Sequence, residues 1–542
     1  MKLLAHKYSH SLILLSLFLI AEIIINPIGE FSLNDDWSYT KSVETLNNTG
    51  VFEIGYWPAM TLYAHVLWGL LFVKVFGFSF TVLRISVLIL SLITLLTIHK
   101  LVFNITHDKK TALVFSLLLF VNPLFVNLSN SYMTDVSFLC FVVLSVYFFH
   151  QQFLFKKSKF LLLGFLFFLV ALFIRQLALT IPIVFIAICM WNVLTTKKGV
   201  QVLINSIFLF LGSLLILFFF EKTKFKTLAD FSSYQGVFFS KSKIDISCTD
   251  FLINFHTRFG ILLLYLGLTV FPVMIFKLRY IIMKTSSISI LNKIFIVAMV
   301  SILYIVYSGF PIGNVMYNTG LGLETTPDTF HFKMKLEHTH NPFLFETIKI
   351  ISLLGSVLFI VFMFISDTVK KTTKVIDDKT KFSVFIFFIL FLYVFLFAMF
   401  SSFYDRYSLS FTALALLLIA NKQGFKITKP KLVLCVIFLY SLFSVFATKD
   451  YFNYNRIKEN IIVDLMHNKK VKAEDIHGGF EFMMWHFYDT GGWNRYWDHR
   501  GYEYQITFGG DLQPYHIIEK HPYKRYFPFK VDTLYLIQKN AE

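Results

Sequence analysis

The chain has 542 residues, of which 56% are hydrophobic and only 15% charged, with 67 phenylalanines and a mean hydropathy of +0.65. A water-soluble protein of this length needs roughly a quarter of its residues charged to cover its surface. The composition therefore excludes an array of soluble domains and puts most of the chain in lipid. The formal charge of +17 would raise the question of nucleic acid in a soluble protein; here its placement along the loops carries the information. Cys140, Cys189 and Cys435 lie in apolar runs and Cys248 is alone in a polar stretch, so no disulfide framework is expected.

A helical span takes about 20 apolar residues. Runs of that kind predict helices near 11–28, 81–103, 111–128, 135–154, 160–174, 177–194, 201–220, 257–276, 294–311, 347–366, 382–400, 408–420 and 432–447, about 13 spans, the shorter ones tilted or enclosed by the others. The first run lacks a small-x-small cleavage site and carries Glu22 and Asn26–Pro27, so it reads as an anchor and not as a signal peptide. Alternate loops then separate by charge. One set holds Lys109–Lys110, Lys156–Lys157, Lys197–Lys198, Lys277 with Arg279, Lys370–Lys371 and Lys422 with Lys426. The other contains the acidic loop 29–58 and the tight turns 129–134 and 401–407. Excess Lys and Arg marks the cytoplasmic side, which puts the N-terminus inside and the C-terminus outside; the loop 221–256, with five lysines, is a partial exception.

The apolar segment 61–79 would invert every later loop if it crossed the membrane. It contains His65 and Lys74 and is expected to lie in the outer interface. From about residue 449 the chain turns polar and aromatic, with Gly478–Gly479, Gly491–Gly492 and Gly509–Gly510. This predicts a transmembrane module over 1–448 followed by a small extracytoplasmic α/β domain over 449–542.

Ionisable groups in or beside a membrane are costly and call for a reason. Here they gather at the outer ends of the spans: Asp35–Asp36 with Tyr39 after the first, Asp135 at the head of the fourth, Arg175 between the fifth and sixth, Arg258 in the eighth, and Tyr404–Asp405–Arg406–Tyr407 before the twelfth. A carboxylate can deprotonate an incoming hydroxyl or amine, and arginines can hold a phosphate and stabilise it as it leaves. Such a set suits glycosyl transfer from a polyprenyl phosphate to an acceptor outside the cytoplasm. Each group also has a plain reading: Asp35–Asp36 as a solvated loop or helix cap, Asp135 as an N-cap, Arg175 and Arg406 as arginines reaching for headgroups, Asp405–Arg406 as a local ion pair.

Asp35–Asp36–Trp37–Ser38–Tyr39 resembles the D-[DE]-x-x-Y pattern of the GT-C glycosyltransferases, in particular the protein O-mannosyltransferase-like family 39 and the lipid A aminoarabinose transferases. Met133–Thr134–Asp135 is similar to the second acidic motif of that family, and Arg406–Tyr407 to a turn of its bacterial members, although Ser408 stands where many have proline. The resemblance covers about residues 10–420. It implies a polytopic α-helical GT-C fold and an inverting transfer from a lipid-monophosphate sugar. Asp35 would be the principal catalytic carboxylate, with Asp36 and Asp135 in support, Arg175, Arg258 and Arg406 as donor-phosphate ligands, and Tyr39, His65, Tyr404 and Tyr407 positioning donor or acceptor. The expected partners are the polyprenyl-phosphate sugar, an extracytoplasmic acceptor (protein, lipid or surface glycan) and the lipid bilayer, with no nucleic acid, and the expected location is a bacterial inner membrane.

The sequence establishes no cofactor. A divalent cation is one reading of His331, Glu337, His338 and His340, but their spacing fits no standard zinc pattern and a lid loop accounts for them more simply. In the tail, Trp485, Trp493 and Trp497 could stack on sugar rings, although aromatic residues more often serve burial. The alternative from another class is a transporter or a flippase of lipid-linked glycans. Its polar sites would be expected at mid-membrane on broken helices, and the span interiors here are mostly Phe, Leu, Ile and Val.

Overall fold

The computed structural model describes residues 2–55, 57–58, 60–223, 247–316, 342–365, 377–400, 403–422, 425–427, 429–491, 494–495, 501–508, 513–527 and 529–540. Among the described residues up to 463 every regular element is a helix. The helices are α1 (Lys2–Ile25), α2 (Asp36–Thr49), α3 (Tyr63–Phe76), α4 (Phe80–Thr106), α5 (Lys109–Phe120), α6 (Pro123–Ser129), α7 (Thr134–Phe155), α8 (Ser158–Leu172), α9 (Thr180–Thr196), α10 (Val200–Thr223), α11 (Cys248–Met274), α12 (Leu278–Lys284), α13 (Ile290–Tyr307), α14 (Pro342–Phe364), α15 (Asp378–Met399), α16 (Ser408–Asn421) and α17 (Pro430–Val463). Their starts follow the capping residues: Ser79 accepts from the N–H of Val82, Asp108 from those of Lys110 and Thr111, and Asp377 from that of Thr380.

Among the described residues, nine helices are long and apolar enough to cross a membrane, or ten if one bent pair is a single span. The chain is thus a multi-pass membrane protein. Three of the thirteen expected spans are shorter: the apolar parts of α1 and α8, and the 14-residue α16, which is buried along almost its whole length. Enclosure by neighbours lets a short helix stay out of contact with water and lipid alike. The segment 111–128 is not one straight span. It bends by 68° between α5 and α6, because Asn122 accepts from the N–H groups of Leu124 and Phe125 and Pro123 starts a new helix without a donor of its own.

Packing between α11 and α14 relies on small residues. A Cβ added at Gly355 would stand 2.0 Å from the carbonyl oxygen of Gly267, so the two backbones touch, as small-xxx-small faces allow in membranes. Helix α3, with 14 residues, reaches only about 21 Å at 1.5 Å per residue, too short for a hydrocarbon core of about 30 Å. Its first turn is anchored from outside the helix. Thr61 Oγ1 donates to the carbonyl of Leu172, and the N–H groups of Leu62 and Ala64 donate to those of Ile174 and Phe173. The open end of α3 and the open end of α8 satisfy each other.

Helix α17, 34 residues long, runs through residue 449 without a break, so no flexible linker separates the tail from the membrane helices at the expected boundary. After it come β1 (Ile476–His477), α18 (Phe480–Phe487), β2 (Tyr504–Thr507), β3 (Tyr515–Tyr526) and β4 (Phe529–Lys539). They form one sheet in the order β1-β2-β4-β3, with β1 and β2 parallel and the other pairs antiparallel. Asp450 of α17 fixes the β3–β4 turn by accepting from the N–H groups of Tyr526 and Phe527.

Candidate active site

Four charged side chains from four separate segments meet in two ion pairs. Arg406 Nη1 donates to Asp35 Oδ2 at 2.8 Å, with both residues buried. Arg175 Nη2 stands 2.9 Å from Asp135 Oδ1. In the second pair the arginine aims its hydrogen bonds at the hydroxyl of Thr134, at 3.0 Å from Nε, so Asp135 Oδ1 is close to a cation while neither Asp135 oxygen has an aligned donor among the described residues. Tyr407 links the two pairs: the guanidinium of Arg175 lies 5.7 Å from its ring centre and that of Arg406 5.8 Å. Tyr39, fully buried on the first turn of α2, is within the electrostatic reach of all four charges; burial first, and then the Asp35 carboxylate, push its hydroxyl above the usual phenol range.

Local sequence explains how each group arrives. Asn34 takes a left-handed backbone (φ 57), which Asn tolerates better than most residues, and its side-chain amide bonds that of Asn314 at 3.2 Å. The turn brings Asp35 to the head of α2. Asp36 then points the other way. It is fully buried, and its two oxygens accept from the N–H groups of Leu33 at 2.6 Å and Tyr132 at 3.1 Å. Burial pushes its carboxyl up to about 7, against the pull of Arg84 and those two N–H groups. Asp36 therefore staples the acidic loop to the turn before α7, with each oxygen engaged by a backbone N–H.

Asp405 has the same job in the turn Asp405–Tyr407. Its carboxylate accepts from the N–H groups of Val315, Met316 and Arg406 at 2.8, 2.7 and 2.7 Å, and burial pushes it up to about 6. The side chain of Arg406 is then free to reach Asp35. Burial alone would lower its pKa, but the Asp35 carboxylate, together with Tyr407, Asp135 and Tyr39, outweighs that and raises it, so it stays charged. Tyr404 lies beside it, with 5.0 Å between the guanidinium and the ring centre.

His65 stacks on Tyr132 at 4.1 Å, with Nε2 at 3.1 Å from the Tyr132 carbonyl, and the Tyr132 hydroxyl donates back to the His65 carbonyl at 2.7 Å. Burial pushes its imidazole down to about 3, so it is neutral, and the contact to a carbonyl makes Nε2 the protonated nitrogen. Its Nδ1 has no partner. Arg258 departs from expectation. It donates to the carbonyl of Phe397, at the end of α15, and touches the turn only through the ring of Phe403, 5.9 Å away. Neither carboxylate pairs with it in the structure.

Trp57 and Arg84 were not singled out in the sequence, and Thr134 entered only as the middle residue of Met133–Thr134–Asp135. Trp57 donates its indole N–H to Asp35 Oδ1 at 3.0 Å. Thr134 receives Arg175. Arg84, fully buried in α4, donates to the carbonyls of Pro27, Gly29 and Phe31 and shapes the loop that leads to Asp36. Only Arg84 left a signal, as an arginine inside an apolar run. The loop with His331, Glu337, His338 and His340 lies outside the described residues, as do Trp493 and Trp497. Among the described residues no three His, Cys, Asp or Glu side chains gather as metal ligands would.

Residues 62–222 match the dolichyl-phosphate-mannose-protein mannosyltransferase family. The stretch includes His65, Asp135 and Arg175 but neither the Asp35 loop nor the 403–407 turn. Two crystal structures of ArnT from Cupriavidus metallidurans, one in the apo state and one bound to undecaprenyl phosphate, align over 75% of this chain and 77% of theirs, at 12% and 11% identity and a TM-score of 0.35 in each case; a likeness that slight carries no weight on its own. No curated protein matches the chain. The family match spans the Met133–Thr134–Asp135 motif but not Asp35–Asp36, and over that stretch the chain resembles the GT-C glycosyltransferases.

Proposed function

We propose that the protein transfers a glycosyl group from a polyprenyl-phosphate-linked donor to an acceptor on the outer side of a bacterial inner membrane, with Asp35 as general base. The observation that carries this reading is the pair of buried carboxylate–guanidinium contacts drawn from distant segments, with hydrogen-bonding capacity left over. Among the described residues, Arg406 Nε, both oxygens of Asp135 and Nδ1 of His65 are buried without a hydrogen-bond partner. Buried polar groups are rarely left unsatisfied without cause, and a ligand rich in hydroxyl and phosphate oxygens would satisfy these.

In the reaction, Asp35 takes the proton of the acceptor hydroxyl or amine as that atom attacks the anomeric carbon. The bond from that carbon to the phosphate oxygen breaks, and the polyprenyl phosphate leaves with the electron pair. Arg406 and Arg175 hold the phosphate and stabilise its growing charge. Asp135 orients the acceptor or the sugar hydroxyls, and Tyr39 and Tyr407 line the space between. Single displacement inverts the anomeric configuration. The match over 62–222 supports the use of a lipid-phosphate sugar, since it includes Asp135 and Arg175.

The test is purified protein in vesicles loaded with radiolabelled polyprenyl-phosphate sugars. Release of free polyprenyl phosphate, with product of inverted configuration when an acceptor is supplied, is the expected result. Movement of intact lipid-linked sugar between leaflets, with no release, would instead identify a flippase.

A further inference from the structure

We infer that the C-terminal segment holds the catalytic carboxylate in place: Tyr488 fixes Trp57, and Trp57 fixes Asp35. This rests on the reading of Asp35 as general base and gives the tail a role in that same site. The chain of contacts is direct. Trp57 Nε1 donates to Asp35 Oδ1 at 3.0 Å, and the backbone N–H of Trp57 donates to the hydroxyl of Tyr488 at 3.0 Å. Tyr488 follows α18 and presses on the backbone of the acidic loop, for a Cβ added at Gly55 would stand 2.2 Å from its hydroxyl.

Aromatic rings hold this arrangement stiff. Trp37, two residues after Asp35 and fully buried, lies 5.1 Å from Tyr488 and 5.7 Å from Trp57, with Phe480 of α18 5.8 Å from Trp57. Two polar ties fix α18 to the same loop: Lys41 donates to the carbonyl of Trp485 at 2.8 Å, and Asn34 N–H to Glu481 at 3.4 Å. Glu481 is itself paired with Lys458 of α17 at 3.1 Å, so the tie reaches back to the helix that carries the tail.

A carboxylate accepts at about four positions. Arg406 occupies one on Oδ2 and Trp57 one on Oδ1, which fixes the plane of the group and leaves a lone pair on each oxygen for the acceptor proton. An unpinned carboxylate would rotate, and misplacing a catalytic group by about 1 Å can cost on the order of 100-fold in rate. Trp57 and Tyr488 touch no substrate in this scheme. They are positioning residues.

Two variants isolate the hydrogen bonds from the packing: Trp57→Phe keeps a ring and loses the N–H, and Tyr488→Phe loses only the hydroxyl. With tryptophan 15N-labelled at the indole, the full chain in lipid nanodiscs gives an Nε1–H resonance that Trp57→Phe assigns. Both Asp35→Asn and Tyr488→Phe should move that resonance upfield, as a weakened hydrogen bond does. In the release assay, Trp57→Phe should lower kcat roughly 10- to 100-fold with KM little changed, and Tyr488→Phe by less. The double variant should be no slower than Trp57→Phe alone, because both act through one contact. An indole resonance indifferent to Asp35→Asn or to Tyr488→Phe overturns the inference, as does unchanged kcat in Trp57→Phe or a double variant in which the losses multiply. If the unaltered protein releases no polyprenyl phosphate, it is the enzymatic reading that fails, and the resonance alone decides whether the tail holds Asp35.

Discussion

The loop at 31–37 and the turn at 403–407 solve the same problem with opposite charges. Each sets two ionisable residues side by side, buries an aspartate against main-chain N–H groups, and sends the neighbour outward. In the loop Asp36 is the staple and Asp35 faces the site; in the turn Asp405 is the staple and Arg406 faces the site. The difference lies in how completely the outward member is satisfied. Asp35 has side-chain donors on both oxygens, from Arg406 and Trp57, whereas Arg406 keeps its Nε unspent. An aspartate held by backbone cannot leave its partners when substrate arrives, and one held by side chains can. That contrast separates chemistry from architecture better than proximity in sequence does.

Substitutions can break the contrast, beginning with the largest effect. Asp35→Asn should lower release of polyprenyl phosphate per folded molecule by about 10²- to 10⁴-fold, the usual contribution of a general base, and should also cost stability, because Arg406 would stay buried without its anion. Asp36→Asn should cost stability alone, about 1–3 kcal/mol from a backbone N–H left opposite an amide N–H, which thermal denaturation in detergent would register, while the folded fraction keeps its rate. Equal rate losses in the two variants would erase the distinction. Arg406→Gln should slow turnover about 100-fold and also destabilise, because Asp35 would stay buried without its cation. Arg258→Gln should slow turnover less than Arg406→Gln does, by under about tenfold, since its guanidinium is committed to the Phe397 carbonyl and pairs with neither Asp35 nor Asp135, while the lost charged hydrogen bond of about 1.5–3 kcal/mol falls on stability.

The smallest effect concerns pH. Asp405 sits at about 6 in the folded protein against 3.8 ordinarily. A carboxyl raised in this way contributes stability that is complete below its unfolded value and is lost as pH rises through its folded one. Asp405→Asn should therefore destabilise more near pH 5 than near pH 8, which melting temperatures at the two pH values would show. A larger loss at the higher pH would mean that the carboxylate form is the one the turn prefers.

Much of this was legible in the sequence, for physical reasons. Span-length apolar runs announce themselves, and each of the thirteen expected runs is occupied by helix. Asp35, Asp135, Arg175 and Arg406 stood out because charge is costly beside lipid and all fell on one side of the predicted topology. The bend after α5 was missed because apolar residues continue on both sides of Asn122–Pro123, although that pair is itself a start signal. The different fates of Asp35 and Asp36 could not be read, since the deciding partner of Asp36, the N–H of Tyr132, is 96 positions away. Trp57 and Tyr488 were hidden for the same reason: they meet across 431 positions, and a tryptophan in a loop carries no sign of which carboxylate it will find.

We propose that Arg175 and Arg406, paired with Asp135 and Asp35, form one seat for a lipid phosphate. A cryo-EM map of the protein with polyprenyl phosphate tests it most directly. The phosphate should lie within hydrogen-bonding distance of both guanidinium groups, with Arg406 drawn away from Asp35 Oδ2. A phosphate seated instead beside Arg258 or among the lysines of the opposite loops, with the Asp35–Arg406 pair intact, would contradict the account.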